Sequence, residues 1–243
     1  MTNAAVIGVV GYHNTGKTTL ICELIEKLTF HGYSVSTIKN IPKEGFSMDS
    51  EGSDTWKHGK SGAELVAASA PNETSFIIGK GMPLDEIIRI TDSISSPDVI
   101  LVEGHKSEPI QKIVLGEMPL DGEGYRYNPE SDDSGDLFGY IIETIEIARV
   151  HNTLPGIDCG KCGYDDCMEM AEAIARKEKT RSDCVVQEEG FVSVTVGGKD
   201  IPMGPFVQNI VSKTIVGMVS SLKGVDRANT DADITIEIKH GEK

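Results

Sequence analysis

Two kinds of apolar pattern run along the chain. Residues 4–10 (AAVIGVV) and 99–102 (VILV) are unbroken aliphatic runs, as expected of parallel strands covered on both faces, which need no alternation of inward and outward side chains. From Lys17 to about His31, Leu20, Ile21, Leu24, Ile25 and Leu28 instead recur at helical spacing, and Gly32 stands where a helix stop belongs. Ser34–Ile38 predicts the next strand, Glu64–Ala70 and Thr74–Ile78 two short ones, and Leu84 to about Ile94 a helix, followed by Pro97. Asp98–Glu103 reads as a second buried strand with Lys112–Leu115 pairing beside it, and Leu137–Val150 returns to helical periodicity. Alternating strands and helices predict an α/β architecture, a mainly parallel sheet flanked by helices.

Two polar stretches interrupt this order. Residues 40–62 are too long for a passive connector, so they are expected to serve a site. Residues 116–136 combine acidic side chains with Gly122, Gly124 and Pro129 and predict a mobile surface loop. Pro155-Gly156 then breaks the chain, placing a domain boundary near residue 152, with domains 1–152 and 153–243. The second is predicted to be a small α+β module: a helix over Met168–Lys179, a strand over Val192–Val196, an amphipathic helix over Phe206–Leu222 and a strand over Ile234–Ile238. The apolar face of that amphipathic helix, through Ile210, Val211, Ile215 and Met218, is expected to pack on the two strands.

Composition narrows the function classes. The 243 residues are 39% hydrophobic, enough for a core, and carry a formal net charge of −15. So acidic a surface repels nucleic-acid backbones and anionic lipid. No apolar run approaches the ~18 residues of a membrane span, and the N-terminus lacks the basic flank of a signal peptide. The expected compartment is the cytoplasm, with no nucleic-acid or membrane partner.

Gly11-Tyr12-His13-Asn14-Thr15-Gly16-Lys17-Thr18 fits G-x-x-x-x-G-K-[ST] and sits between the first strand and the first helix, the context that gives the motif its meaning. Loop N–H groups and the helix N-terminus converge there on an anion. The Lys17 ammonium is placed against β- and γ-phosphates, and the Thr18 hydroxyl is a magnesium ligand. Glu103, at the carboxyl end of the second apolar strand, is a candidate second magnesium-side group. The fold expectation is therefore of the phosphate-loop NTPase type.

Further segments accompany the loop: Ser36-Thr37-Ile38-Lys39; Met48-Asp49-Ser50-Glu51-Gly52-Ser53-Asp54-Thr55-Trp56-Lys57 with Ser61-Gly62-Ala63; and Val99 to Lys106, ending Val102-Glu103-Gly104-His105-Lys106. Together and in this order, over about residues 4–115, they resemble the molybdopterin-guanine dinucleotide biosynthesis protein B (MobB) family. The resemblance implies GTP and magnesium binding, weak GTP hydrolysis at most, a homodimer, and assistance to a molybdopterin guanylyltransferase, with molybdopterin or its metal-bound form as a further ligand. Carried over by position, Gly11, Asn14, Thr15, Gly16, Lys17, Thr18 and Thr19 hold the phosphates. Asp49 and Asp54 line the magnesium side, and Glu103, Gly104 and Lys106 face the same pocket. Family members commonly have histidines soon after the lysine of the second strand, whereas here Lys39 precedes Asn40-Ile41-Pro42. Trp56, the sole tryptophan, is expected to be a packing anchor in the core.

Four of the five cysteines lie at Cys159, Cys162, Cys167 and Cys184. Three thiols within nine residues and a fourth beyond a helix can share one cluster. Glycines at 160 and 163 free the loop, and Cys167 falls at the start of a helix, whose positive end favours an anionic cluster. The C-G-x-C-G-x-x-x-C pattern before an alanine-bearing helix resembles the small 4Fe-4S domain of corrinoid iron–sulfur proteins. Zinc is the rival occupant, since four thiolates also make a tetrahedral site, and buried free thiols are the third reading. Cys22, beside Ile21 and Ile25, is expected in the core. The functional expectation is a GTP-binding accessory protein of molybdenum or tungsten cofactor maturation carrying an iron–sulfur module. The alternatives are a redox-gated NTPase and a nucleotide-driven metal-insertion chaperone.

Overall fold

The computed structural model describes residues 2–119, 124–185, 192–201, 203, 205–219, 221–222, 234 and 236. In chain order the N-terminal elements are β1 (Ala5–Gly11), α1 (Lys17–Phe30), β2 (Val35–Lys39), α2 (Asp54–Lys60), β3 (Leu65–Ala70) and β4 (Glu73–Ile78). They continue with α3 (Leu84–Ser95), β5 (Val99–Glu103), β6 (Gln111–Leu115), β7 (Tyr125–Tyr127) and α4 (Ser134–His151). Five strands form one sheet in the order β2-β5-β1-β6-β7, every pair parallel.

Both faces of this sheet are covered, which is why its strands read as continuous aliphatic runs. On one face Ala4, Ile38, Ile100 and Val102 pack with Leu84 and Ile88 of α3. The alternate residues Ile7, Val9, Val99, Leu101 and Ile113 are fully buried as well, and α1 packs against β1, β5 and β2. Each such aliphatic side chain contributes ~1.5–3 kcal/mol on burial. Alongside α1, α4 buries Leu137, Ile141 and Ile145. Lys27 donates to the Ser134 carbonyl at 3.2 Å and stands over the Phe138 ring.

Several details depart from the sequence pattern. β6 pairs with β1, not with β5. β5 and β6 therefore flank β1 and run parallel, and the seven residues 104–110 must pass across β1, a shorter crossover than the dozen or so residues usually needed. Gly8 makes this passage fit: a Cβ there would meet Ile110 Cδ1 at 3.1 Å. β3 and β4 stay out of the parallel sheet and form their own antiparallel hairpin. The polar stretch 40–62 contains α2, whose N-cap Ser53 accepts from the Trp56 N–H at 3.0 Å. Within 116–136, Tyr125–Tyr127 is not loop but an edge strand on β6.

Two core expectations fail. The buried side of α1 is Leu20, Ile21, Leu24 and Leu28; Cys22 lies one residue, about 100° of helix rotation, past Ile21 and is exposed. Trp56 is only half-buried, because α2 buries none of its residues, and Lys60 stands over its ring at 5.4 Å.

By internal contacts the chain divides into Met1–Ile145 and Glu146–Lys243, a division within α4. The second unit holds α5 (Cys167–Ala175), a 3₁₀ turn at Arg181–Asp183, the antiparallel hairpin of β8 (Val194–Val196) and β9 (Lys199–Ile201), and α6 (Pro205–Val219). Leu154, Met170 and Ala171 with Cys167 and Cys184 form a small core, against which Ile147, Val150, Cys162 and Tyr164 pack. Of the strand expected over Ile234–Ile238 only Ile234 and Ile236 are described, both exposed and neither in a strand; the rest lies outside the described residues. Ile210 and Met218 of α6 are exposed. No helix among the described residues is long and apolar enough to cross a membrane.

Candidate functional site

The loop after β1 is shaped by backbone rather than by side-chain bulk. Asn14 and Gly16 adopt φ of 61° and 83°, values that glycine takes freely and asparagine tolerates. Tyr12 contributes its carbonyl to two bonds, from the Thr15 hydroxyl at 3.0 Å and from the Lys17 ammonium. α1 then starts at a glycine with no side-chain cap and no acidic residue in its first turn. Leu20 N–H makes the first helical bond, to the Gly16 carbonyl at 2.9 Å. The N–H groups of Lys17, Thr18 and Thr19 thus belong to the helix start that has no internal acceptor, and the dipole adds positive potential there. Lys106, on the chain leaving β5, stands 5.7 Å over the Tyr12 ring.

Three charged or polar groups gather beside this helix start. The Thr18 hydroxyl donates to the Glu103 carboxylate at 3.0 and 3.2 Å, and the Lys39 ammonium donates to both Glu103 oxygens at 2.9 Å. Lys39 also lies 3.5 Å from Thr18 Oγ1. The Glu103 side chain is only 16% exposed, against 53% for Lys39. Strand pairing sets this placement: Lys39, Glu103 and Val9 stand level across β2, β5 and β1, at the carboxyl edge where parallel α/β sheets hold ligands. Gly104 follows at φ 95°, so close to Asn40 that a Cβ would lie 3.0 Å from the Asn40 Cβ. Asn40, the residue after Lys39, thus packs against the turn that follows Glu103.

A hydroxyl and a carboxylate 3 Å apart, already spanned by a cation, are hard oxygen donors of the kind magnesium takes. Thr18 and Glu103 would hold it, and it would neutralise phosphate charge. Asp49 and Asp54 are engaged elsewhere. The Asp49 carboxylate accepts from Ser53 Oγ at 2.8 Å, Thr55 Oγ1 at 3.0 Å and Ser50 N–H at 2.9 Å, bracing the start of α2. Asp54 pairs with Lys57 at 2.9 Å. The Lys39 role carried no motif of its own, yet the signal was available: two neighbouring parallel strands, STIK and VILVE, end in opposite charges.

In the second unit Cys159, Cys162, Cys167 and Cys184 line one concavity with Leu154, Ile157 and Met170. None forms a disulfide; Cys167 and Cys184 are buried and Cys159 is exposed. Four thiols in an apolar surround are a donor set suited to an iron–sulfur cluster, although among the described residues no three His, Cys, Asp or Glu side chains meet at one metal-binding point. The start of α5 is less free than its position suggests. Cys167 N–H bonds the Asp158 carboxylate at 2.8 Å, and Glu169 N–H bonds Asp166 at 2.8 Å.

Comparison with known proteins finds relatives for both parts of the chain. Residues 6–127 match the family model "Molybdopterin guanine dinucleotide synthesis protein B", MobB, and residues 154–186 match the family described as "Putative Fe-S cluster". A Methanocaldococcus jannaschii protein named "Putative molybdopterin-guanine dinucleotide biosynthesis adapter protein" is 32% identical over 96% of this chain and 97% of its own length. The Haemophilus influenzae "Molybdopterin-guanine dinucleotide biosynthesis adapter protein" is 34% identical over 45% of this chain and 61% of its own. Among solved structures, Bacillus subtilis MobB is 19% identical over 58% of this chain and 97% of that chain, with a TM-score of 0.45. With half its length matched by the family model and nearly all of it aligned to the M. jannaschii protein, the chain belongs to the MobB family and carries an iron–sulfur family segment behind the MobB region.

Proposed function

We propose that this chain is a GTP-binding adapter of molybdopterin-guanine dinucleotide synthesis, a cytoplasmic protein working as a homodimer beside a molybdopterin guanylyltransferase. The observation that carries the reading is the carboxyl edge of the parallel sheet. There an uncapped α1 start, the Gly11–Thr18 loop, and the Thr18–Glu103 pair lie together. In this reading Gly11, Asn14, Thr15, Gly16, Lys17, Thr18 and Thr19 cradle the phosphates, and Thr18 with Glu103 takes magnesium. Gly104 and Lys106 border the same pocket, while Asp49 and Asp54, which the resemblance puts on the magnesium side, are held within the start of α2 by Ser53, Thr55 and Lys57. Residues 1–152 bind nucleotide; 153–243 carry a 4Fe-4S cluster on Cys159, Cys162, Cys167 and Cys184. The names of the relatives support the pathway, and the printed adapter role supports a partner enzyme.

Titration of a fluorescent GTP analogue into wild type and Lys17→Ala tests the reading. Wild type binds with magnesium, and Lys17→Ala loses most of that affinity while remaining folded, because the half-buried Lys17 supplies charge to the loop rather than core packing. Equal binding by both proteins removes the Gly11–Thr18 loop from the function, and equal affinity for ATP removes the guanine assignment.

A further inference from the structure

Lys39 takes no part in cradling phosphates in the reading above, yet it occupies the most consequential position beside the site. Its ammonium bonds both oxygens of Glu103 and approaches Thr18 Oγ1. The Thr18 hydroxyl gives its hydrogen to the same carboxylate, so its lone pairs remain for a cation. A phosphate-loop site offers magnesium this helix-start hydroxyl and a strand-end carboxylate, and here one side-chain cation already spans the two.

We propose that Lys39 is the resident counter-ion of the magnesium site: it neutralises Glu103 until a divalent cation enters with the nucleotide, and that cation must displace it. The inference rests on the nucleotide-binding reading. An ammonium bonded to both carboxylate oxygens and a divalent cation brought to the same oxygens repel each other, so binding of one weakens binding of the other. The framework stays fixed during the exchange. Lys39 and Glu103 are ladder partners, Asn40 N–H bonds the Glu103 carbonyl at 2.9 Å, and Gly104 N–H bonds the Val9 carbonyl at 3.1 Å. What moves is the Lys39 side chain, half exposed on a flexible four-carbon stem. Glu103 is thereby never left as an isolated carboxylate with most of its surface removed from water, a state that costs several kcal/mol in proteins. The proposal makes the metal requirement a competition, and it assigns Lys39 a positioning role rather than contact with the reacting atoms.

Manganese, whose free ion is counted by electron paramagnetic resonance, serves as the probe. It is titrated into the full chain with saturating GTP, in wild type, Lys39→Met and Lys39→Arg, with nucleotide binding followed in parallel by the fluorescent GTP analogue. Removing the competing ammonium tightens manganese binding by up to about fivefold in Lys39→Met, the upper end of what a partly exposed ion pair converts to. Lys39→Arg keeps a cation and stays near wild type. Unchanged or weaker manganese binding by Lys39→Met, with nucleotide still bound, overturns the counter-ion role alone. No GTP binding by wild type overturns the phosphate-loop reading and this inference with it.

Discussion

Lys39 and Glu103 stand directly opposite each other in the parallel ladder of β2 and β5, and the Lys39 ammonium lies 2.9 Å from both Glu103 carboxylate oxygens. Because their backbones are held by sheet hydrogen bonds, this ion pair marks a fixed level in the molecule. Val9 of β1 shares that level, and two residues later Gly11 begins the phosphate loop. Strand register, rather than any loop contact, therefore brings the Glu103 carboxylate to Thr18 at the head of α1. Ligands of parallel α/β sheets gather at such strand ends because loops and helix starts open there together.

Gly11 is a steric necessity of that corner. A Cβ on it would stand 2.6 Å from Thr15 Oγ1, 3.1 Å from the Leu115 carbonyl oxygen and 3.3 Å from the Leu115 Cβ. The hydroxyl can rotate, but the carbonyl belongs to β6, paired along its length with β1. Gly11→Ala is expected to lower unfolding stability by ~1–3 kcal/mol, the usual penalty of overpacking, and to weaken GTP binding by distorting the loop. A urea midpoint and a nucleotide titration check it. A variant as stable and as competent as wild type shows that the corner has room the structure denies.

Asp49 makes the start of α2 sensitive to acid. The Ser53 hydroxyl bond, then those from Thr55 and Ser50, holds its carboxyl below the ordinary 3.8, although desolvation pushes the other way. A depressed folded value means that Asp49 contributes fully above the unfolded value and ceases to contribute as pH falls through the lower folded one. The brace on Ser53 and Thr55 is expected to persist through neutral and mildly acid pH and to release below about pH 4. Trp56, the sole tryptophan, reports on it, since its backbone N–H donates to Ser53 Oγ. Wild-type fluorescence should change in that range and Asp49→Asn should not; parallel curves would detach Asp49 from the cap.

Much of this was legible in the sequence where one physical cause dominated. AAVIGVV and VILVE announce buried parallel strands because few other structures hide so many consecutive aliphatics, and the glycine-lysine loop between strand and helix declares its own geometry. Strand order was not legible: that β6 joins β1 across Gly8 depends on the path of residues 104–110, which no periodicity encodes. Tyr125–Tyr127 was hidden because three residues carry no pattern, and pairing with β6 alone makes them a strand. α2 was masked by its polarity, since a helix that buries nothing shows no apolar stripe. Cys22 stands a single step around α1 from buried Ile21, and that rotation of about 100° is enough to move a side chain from core to solvent.

The last prediction separates the two halves of the chain. A protein ending at residue 152 retains all of α4, including Leu137, Ile141 and Ile145, which a cut at the contact division after Ile145 would leave at a fraying terminus. The phosphate loop, Lys39, the Asp49–Trp56 segment and Glu103 all precede that end, so the truncated protein is expected to bind the fluorescent GTP analogue as the full chain does. The four clustered cysteines, Cys159, Cys162, Cys167 and Cys184, all follow it, so iron binding should vanish with the removed segment. In the full chain, anaerobic reconstitution should give about four iron and four sulfide, the content of one cubane. Cys162→Ser should lose that cluster, because the harder alkoxide oxygen is a poor substitute for thiolate. Cys162 packs against the small core containing Cys167 and Cys184, and circular dichroism separates loss of a ligand from loss of that core. One zinc and no iron in anaerobic preparations would make the segment a structural staple rather than a redox centre. Loss of nucleotide binding on truncation, with the full chain competent, would show that the MobB region needs residues beyond 152 to form its site.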